Sequence, residues 1–151
     1  MDHHANEDIV ISSDKSRLDR ALIHAVLATT YWSKGIPRDV VERAIEGSLC
    51  FGVYKAGAQI GFARLITDQA TFAYLADVFI VEAEQRKGYG KALIAHVTEA
   101  LGPLRLRRTL LATADAHGLY RQYGFTPLGK PDTFMEINVK DIYQQGKAGT
   151  S

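Results

Sequence analysis

The stretch that decides the fold is Ile80-Val81-Glu82-Ala83-Glu84-Gln85-Arg86-Lys87-Gly88-Tyr89-Gly90-Lys91-Ala92-Leu93. It joins the end of an apolar strand to a charged loop, and two glycines then open an amphipathic helix. The first N–H groups of a helix have no intrahelical acceptor, and together with the helix dipole they form an anion site. Glycine lets the backbone come close to a phosphate and take φ > 0. Arg86, Lys87 and Lys91 surround that concavity with positive charge, which suits a pyrophosphate. Two common phosphate loops are excluded by spacing. A Walker loop needs glycine where Gln85 stands and Ser or Thr where Ala92 stands, and a dinucleotide fingerprint needs glycine at Leu93.

Upstream, residues 71–81 are apolar on both faces apart from Asp77, as in a strand inside a covered sheet. Two strand-like runs precede it, Leu49–Tyr54 and Gln59–Ile66. They are joined as a hairpin through Lys55-Ala56-Gly57-Ala58, and Asp68-Gln69 makes a second short turn. Further back, Ile9–Ser12 predicts a first strand. Ser16 is an N-cap candidate for a helix carrying Leu18, Leu22, Ile23, Val26 and Leu27. Tyr31–Pro37 ends that helix, and Pro37 fits the first turn of another, from Arg38 to about Gly47.

Downstream, the helix runs from about Gly88 to Leu101, and a strand is expected over Leu106–Ala112. A short helix capped by Asp115 follows, through Tyr123. Phe125–Leu128 and Phe134–Val139 are expected as closing strands, with a frayed tail over 144–151. The predicted fold class is α/β, a mixed, mainly antiparallel central sheet covered by helices on both faces, with residues 1–151 as a single domain.

Composition narrows the function classes. The 151 residues carry 18 Lys+Arg against 17 Asp+Glu, a net charge of +1, so the basic excess needed to neutralise nucleic-acid phosphates is missing. At 46% hydrophobic and 23% charged the chain reads as globular and not disordered. No apolar run approaches the ~20 residues of a membrane span. The start, Met1 to Asp8, is polar and acidic, so no signal peptide is expected and the predicted location is cytoplasmic. One cysteine, Cys50, excludes an internal disulfide and a cysteine-built zinc site. It lies between Leu49 and Phe51, as a small buried apolar residue and not a nucleophile. The histidines His3, His4, His24, His96 and His117 show no metal-ligand spacing, so no metal is expected.

The spacing Gln85-x-x-Gly88-x-Gly90 resembles the pyrophosphate loop of the GCN5-related N-acetyltransferase (GNAT) superfamily, which binds acetyl-coenzyme A. The strand before it, the helix after it and the element order extend the resemblance over roughly residues 9–139, to a small bacterial-type member. Downstream, Leu119-Tyr120-Arg121-Gln122-Tyr123-Gly124-Phe125 resembles the family's Leu-Tyr-x-x-x-Gly-Phe signature.

The resemblance implies transfer of an acetyl group from acetyl-coenzyme A to a primary amine, by direct attack within a ternary complex. The loop Gln85, Arg86, Lys87, Gly88, Tyr89, Gly90 and Lys91 would then bind the cofactor, with Tyr120 protonating the departing thiolate. In the family the central strand splays from its neighbour, and its free backbone groups hold the pantetheine arm; these map to Val78, Phe79 and Ile80. The family's frequent asparagine seven residues before the tyrosine is Thr113 here, a partial replacement. The loop between the first two helices walls the acceptor pocket in this superfamily, which makes Tyr31 and Trp32 substrate candidates, with His117 near the acid helix as a third.

Alternatives stand beside these roles. Tyr120 also fits as a packing residue of a short helix, and Trp32 as a cap on the helical core. Asp77 is the only charge in its strand and needs a partner, water or the cleft, because a lone buried carboxylate is expensive. With a turn at Asp68-Gln69 it faces Ile60, which puts Arg64 roughly 13 Å away and leaves Asp77 as a cleft residue and candidate base, directly or through water. The acceptor is a small-molecule or peptide amine, and a homodimer through the C-terminal strands is left open. A catalytically silent acyl-coenzyme A-binding module is the second function, and a plain interaction domain the third.

Overall fold

The computed structural model describes residues 8–144; His3, His4 and positions 145–151 of the expected tail lie outside the described residues. The elements are β1 (Val10–Ser12), α1 (Arg20–Leu27), α2 (Arg38–Glu46), β2 (Leu49–Lys55), β3 (Ala58–Thr67), β4 (Phe72–Ile80), α3 (Tyr89–Leu101), β5 (Arg108–Leu110) and α4 (His117–Arg121). The strands lie side by side in the order β1-β2-β3-β4-β5. The first three pairings are antiparallel and β4–β5 is parallel.

Helices cover both faces, as the apolar runs of β2 and β3 require. On one face α3 packs Leu93, Ile94 and Val97 against Phe51, Val53, Leu65 and Leu75. On the other, α1 and α2 bring Ile23, Leu27, Val41 and Ile45 down onto Cys50 and Phe62. Burying each such side chain contributes about 1.5–3 kcal/mol, so this double layer supplies much of the stability of the sheet. Arg20 of α1 ties the two helices together through Glu42 at 2.6 Å and Glu46 at 3.3 Å.

Local chemistry moves several boundaries from their expected positions. The first helix begins at Arg20, because the Asp14 carboxylate accepts from Ser16 N and closes a separate 3-10 turn over Lys15–Arg17. The cap of α1 is Asp19, whose side chain accepts from Leu22 N at 3.0 Å. Pro37 stands at the N-cap of α2, one step before its first turn. Ala116, and not Asp115, is the N-cap residue of α4; the Thr113 hydroxyl accepts the Ala116 N–H at 3.0 Å. The expected closing strands are absent: 125–128 and 134–139 join no ladder, and β5 is the open edge of the sheet. A strand exists only where a neighbour takes its backbone hydrogen bonds, and among the described residues neither segment has one.

The link between β3 and β4 sets the register on which the site depends. It is longer than a two-residue turn. The Asp68 carboxylate accepts the Thr71 hydroxyl and the N–H groups of Ala70, Thr71 and Phe72, which holds the carboxyl well below its usual range. Thr67 therefore pairs with Ala73, and Arg64 with Ala76. Beyond that point the ladder resumes at Phe62 with Phe79, so Asp77 and Val78 share a place opposite Ala63. This is a β-bulge, and Asp77 in it has φ +56°.

Candidate active site

The glycine loop lies where the sequence predicts it, between β4 and α3. A 3-10 turn over Glu82–Glu84 brings the chain off β4, and Gln85 is tied back by its side-chain amide, which donates to Ile80 O at 2.8 Å. Arg86 takes φ +65° and Gly88, the N-cap of α3, takes φ +87°. No side chain caps this helix, so the N–H groups of its first turn point into the open. Glycine at 88 is required by its left-handed conformation.

At Gly90 the demand is different, because an added Cβ would meet nothing closer than Ile80 Cγ1 at 4.0 Å. The protein itself does not need a glycine there. A helix-destabilising residue facing free space at an uncapped helix start leaves room for a phosphate to approach the backbone.

The charges around the loop divide into bound and free. Glu84 holds Lys55 and Lys87, each at 3.0 Å, and the two ammonium groups keep its carboxyl below the ordinary range. Lys55 also lies 5.2 Å from the centre of the Tyr89 ring, and Tyr89 with Glu84 pushes the Lys55 ammonium up. Among the described residues no carboxylate pairs with Arg86 or Lys91, and both are exposed. Lys55 and Glu84 were missed as loop residues in the sequence; a contact across 29 positions leaves no local pattern.

Beside the loop, β4 loses its outer neighbour. It pairs with β5 only through Phe72–Arg108, Ala73–Thr109 and Tyr74–Leu110. From Leu75 to Ile80 its only strand partner is β3, the Ile80 carbonyl accepts from Gln85, and the bulge falls within this stretch. Val78 and Ile80 pack toward α3, and Phe79 toward the α1–α2 layer. The opening between the strands and the free N-terminus of α3 thus adjoin at the same end of β4.

Asp77 is not a lone carboxylate in the cleft. Arg64 Nε donates to its Oδ2 at 2.6 Å, and the indole N–H of Trp32 donates to Oδ1 at 2.9 Å. Arg64 is held in turn, its Nη1 donating to Ser48 Oγ, whose hydroxyl donates to Ala44 O at the end of α2. This corrects the expected 13 Å separation of Arg64 from Asp77; the longer turn and the bulge bring them together. Sequence reasoning weighed Arg64 as a partner and rejected it on the assumed register, and Ser48 carried no signal.

Trp32 reaches Asp77 because its loop is rigidly built. Ser33 is buried and its hydroxyl donates to Leu27 O, Thr30 Oγ1 lies 2.7 Å from Ser33 Oγ, and Gly35 N donates to Ala28 O. Trp32 does not cap the helical core: it is half exposed, and Tyr31, more exposed still, stands edge-on to it at 5.1 Å.

α4 carries Tyr120, in a cavity that includes neither Asp77, Trp32 nor the glycine loop. The ring is 9% exposed and packs edge-on to Phe125, and burial pushes its hydroxyl up. It lines a cavity of about 440 Å³ with Leu110, Leu111, Thr113, His117 and Phe125. His117 is exposed at the start of α4, while Thr113 spends its oxygen on the Ala116 N–H. Of the other described histidines, His24 Nε2 lies 3.0 Å from Ile36 O, and His96 packs edge-on to Phe51. Cys50 is 1% exposed and burial pushes its thiol up to about 11, so it is no nucleophile near neutrality. Among the described residues no group of three or more His, Cys, Asp or Glu could hold a metal, and no helix is long and apolar enough to cross a membrane.

The acetyltransferase (GNAT) domain family matches residues 46–127, which include the bulge, the glycine loop and Tyr120. A protein of Gibberella zeae classed as an acetyltransferase is 32% identical over 134 residues, 75% of this chain and 76% of that protein. A Xanthomonas campestris crystal structure, classed with the GNAT acetyltransferases, is 49% identical and covers 89% of this chain and 96% of its own, with a TM-score of 0.86. A Clostridium acetobutylicum protein classed by prediction as an acetyltransferase and solved with acetyl-coenzyme A shares the fold at 12% identity and a TM-score of 0.62, over 86% of this chain and 94% of that one.

Proposed function

The chain belongs to the GNAT acetyltransferase family, and from that premise we propose that it transfers acetyl from acetyl-coenzyme A to a primary amine by direct attack, with no acyl-enzyme. The observation that carries this is the junction of the uncapped α3 N-terminus with the stretch of β4 that has lost β5. One feature takes a diphosphate, and the other leaves backbone groups free for an amide-bearing arm.

When bound, the thioester supplies the acetyl group. Gln85, Arg86, Lys87, Gly88, Tyr89, Gly90 and Lys91 hold the diphosphate end, with Arg86 and Lys91 as the free cations. The backbone of Val78, Phe79 and Ile80 holds the arm and steadies the carbonyl oxygen. Tyr120, whose raised pKa keeps the proton on its hydroxyl oxygen, gives that proton to the leaving sulfur. Asp77 lines the acceptor side with its carboxylate fixed by Arg64 and Trp32. Each of its oxygens retains a lone pair for the amine's proton, taken directly or through a water. Trp32 and Tyr31 wall the acceptor pocket, with His117 on the opposite rim, and Thr113 shapes the turn before Tyr120.

The test is a screen of small and peptide amines that detects released coenzyme A thiol, run beside coenzyme A-induced changes in melting temperature. Thiol release with at least one amine supports the transferase. Stabilisation by coenzyme A without turnover on any amine points to a silent acyl-coenzyme A-binding module, and no stabilisation at all removes both.

A further inference from the structure

The bend that opens the glycine loop is gripped from another part of the sheet. Between Glu84 and Tyr89 the chain takes two left-handed conformations, Arg86 at φ +65° and Gly88 at φ +87°. Gly88 adopts its angle freely, whereas an arginine there is strained and stays only where its surroundings fix it. Gln85 anchors the bend at one point, through Ile80 O. The other anchor is Lys55, which stands 29 positions before Glu84.

Lys55 is the last residue of β2. It pairs with Ala58 across a tight turn, with Ala56 at φ +51° and Gly57 at φ +85°, so the tip of the β2–β3 hairpin sets its position. From there one ammonium meets both flanks of the bend. Its Nζ donates to Glu84 Oε1 at 3.0 Å before the bend, and after it lies 5.2 Å from the centre of the Tyr89 ring. Tyr89 is 3% exposed and packed in the α3 layer, so it stays fixed while the loop is drawn to it. Lys87 Nζ donates to the same Glu84 oxygen at 3.0 Å, which closes the loop on itself.

We propose that Lys55 and Glu84 are positioning residues for the diphosphate, a clamp that presets the open amides of α3 before any ligand arrives. The inference rests on the coenzyme A reading of the site and goes beyond it, because neither residue needs to touch the cofactor. Charge alone argues the opposite for Glu84. A carboxylate beside an anion site repels the ligand and occupies two lysines that would attract it. An anion site made of backbone N–H groups, however, depends on their direction. The bend that aims them is held by this pair, and preorganisation of that kind outweighs the charge withheld.

Titration calorimetry with coenzyme A separates the two accounts, with nitrogen relaxation of the amides of 84–91 in the free protein as the second measurement. Lys55→Met leaves an apolar side chain of similar length over Tyr89 and removes the ammonium. It should weaken coenzyme A binding about tenfold and loosen the loop amides, while those of 93–97 stay as they are. Lys55→Arg should restore both. Glu84→Gln makes the loop more positive, yet it should also weaken binding, by about threefold. Melting temperatures control for folding, and the near-isosteric Glu84→Gln decides the matter should Lys55→Met melt early. A Glu84→Gln protein that binds as tightly as wild type, or tighter, overturns the proposal. So does a folded Lys55→Met protein with wild-type affinity or an undisturbed loop. The two ways of failing differ: a wild type that binds no coenzyme A takes away the cofactor reading and this role together, whereas variants that match a binding wild type take away this role alone.

Discussion

Arg64 and Asp77 meet at 2.6 Å without being opposite one another: across the ladder Arg64 faces Ala76, and the bulge swings Asp77 onto its guanidinium. Both side chains are largely buried, at 17% and 10% exposure. Removing one partner of a fully dry pair costs about 3–5 kcal/mol. For this pair at the sheet's end, Arg64→Ala should lower unfolding free energy by about 2–3 kcal/mol. Asp77→Asn should lose less, since its amide oxygen still accepts from Trp32. Urea midpoints measure both, and an Arg64→Ala loss under 0.5 kcal/mol would show the pair to be idle.

Gly90→Ala separates the two demands on the glycine loop. The added methyl meets only Ile80 at 4.0 Å and sits in a helix, so the free protein should gain up to about 0.5–1 kcal/mol. Coenzyme A affinity should fall at least tenfold, read by titration calorimetry. Gly88→Ala should do the opposite to stability, costing about 1–2 kcal/mol at φ +87°.

Tyr120→Phe should reduce acetyl transfer by about 10²–10⁴-fold with coenzyme A binding unchanged. Burial raises the tyrosine pKa, so the proton is held across the range in which an amine substrate loses its own. No alkaline decline in rate below a pH of about 10 should then trace to this residue. A Tyr120→Phe variant with full activity removes the acid role and returns Tyr120 to packing.

Cys50 links stability to alkaline pH. Its folded pKa of about 11 lies above the reference 9.0, so the buried neutral thiol favours the fold below pH 9 and that contribution is lost as pH rises toward 11. The two-unit difference amounts to roughly 2–3 kcal/mol. Cys50→Ala should therefore flatten the stability curve between pH 9 and 11, relative to wild type, in chemical denaturation. At neutral pH the native thiol should resist alkylation.

Trp32 is the chain's single tryptophan, which makes the proposed acceptor side optically addressable. Its indole donates to Asp77 at the exposed rim, so an amine that enters should change its fluorescence, while coenzyme A alone should change it little. Trp32→Phe should raise the acceptor KM several-fold and leave the coenzyme A affinity intact. An acceptor with unchanged KM would place the pocket elsewhere.

The glycine loop, the covered sheet and the order of β2, β3, β4 and α3 were legible in the sequence, because spacing and apolar runs are local signals. Tyr120 was legible through its signature, though packing and acid chemistry demand the same ring. The Arg64–Asp77–Trp32 cluster was not. It depends on how many residues the β3–β4 link consumes, and the Asp68 side chain lengthened that link by hydrogen bonds that composition does not reveal. The closing strands failed for another reason. Alternation in 134–139 reports what the segment could pair with, and among the described residues no strand takes its backbone hydrogen bonds.

The bulge at Asp77 also inverts the phase of β4. Ala73 and Leu75, odd-numbered, point into the α3 layer before it, and Val78 and Ile80, even-numbered, do so after it. Removing Asp77 would leave Val78 alone opposite Ala63 and keep Val78 and Ile80 on the α3 side, as in an unbroken ladder. The extra residue is thus surplus to the sheet, and the backbone position the ladder could do without is the one that presents a carboxylate to Arg64 and Trp32.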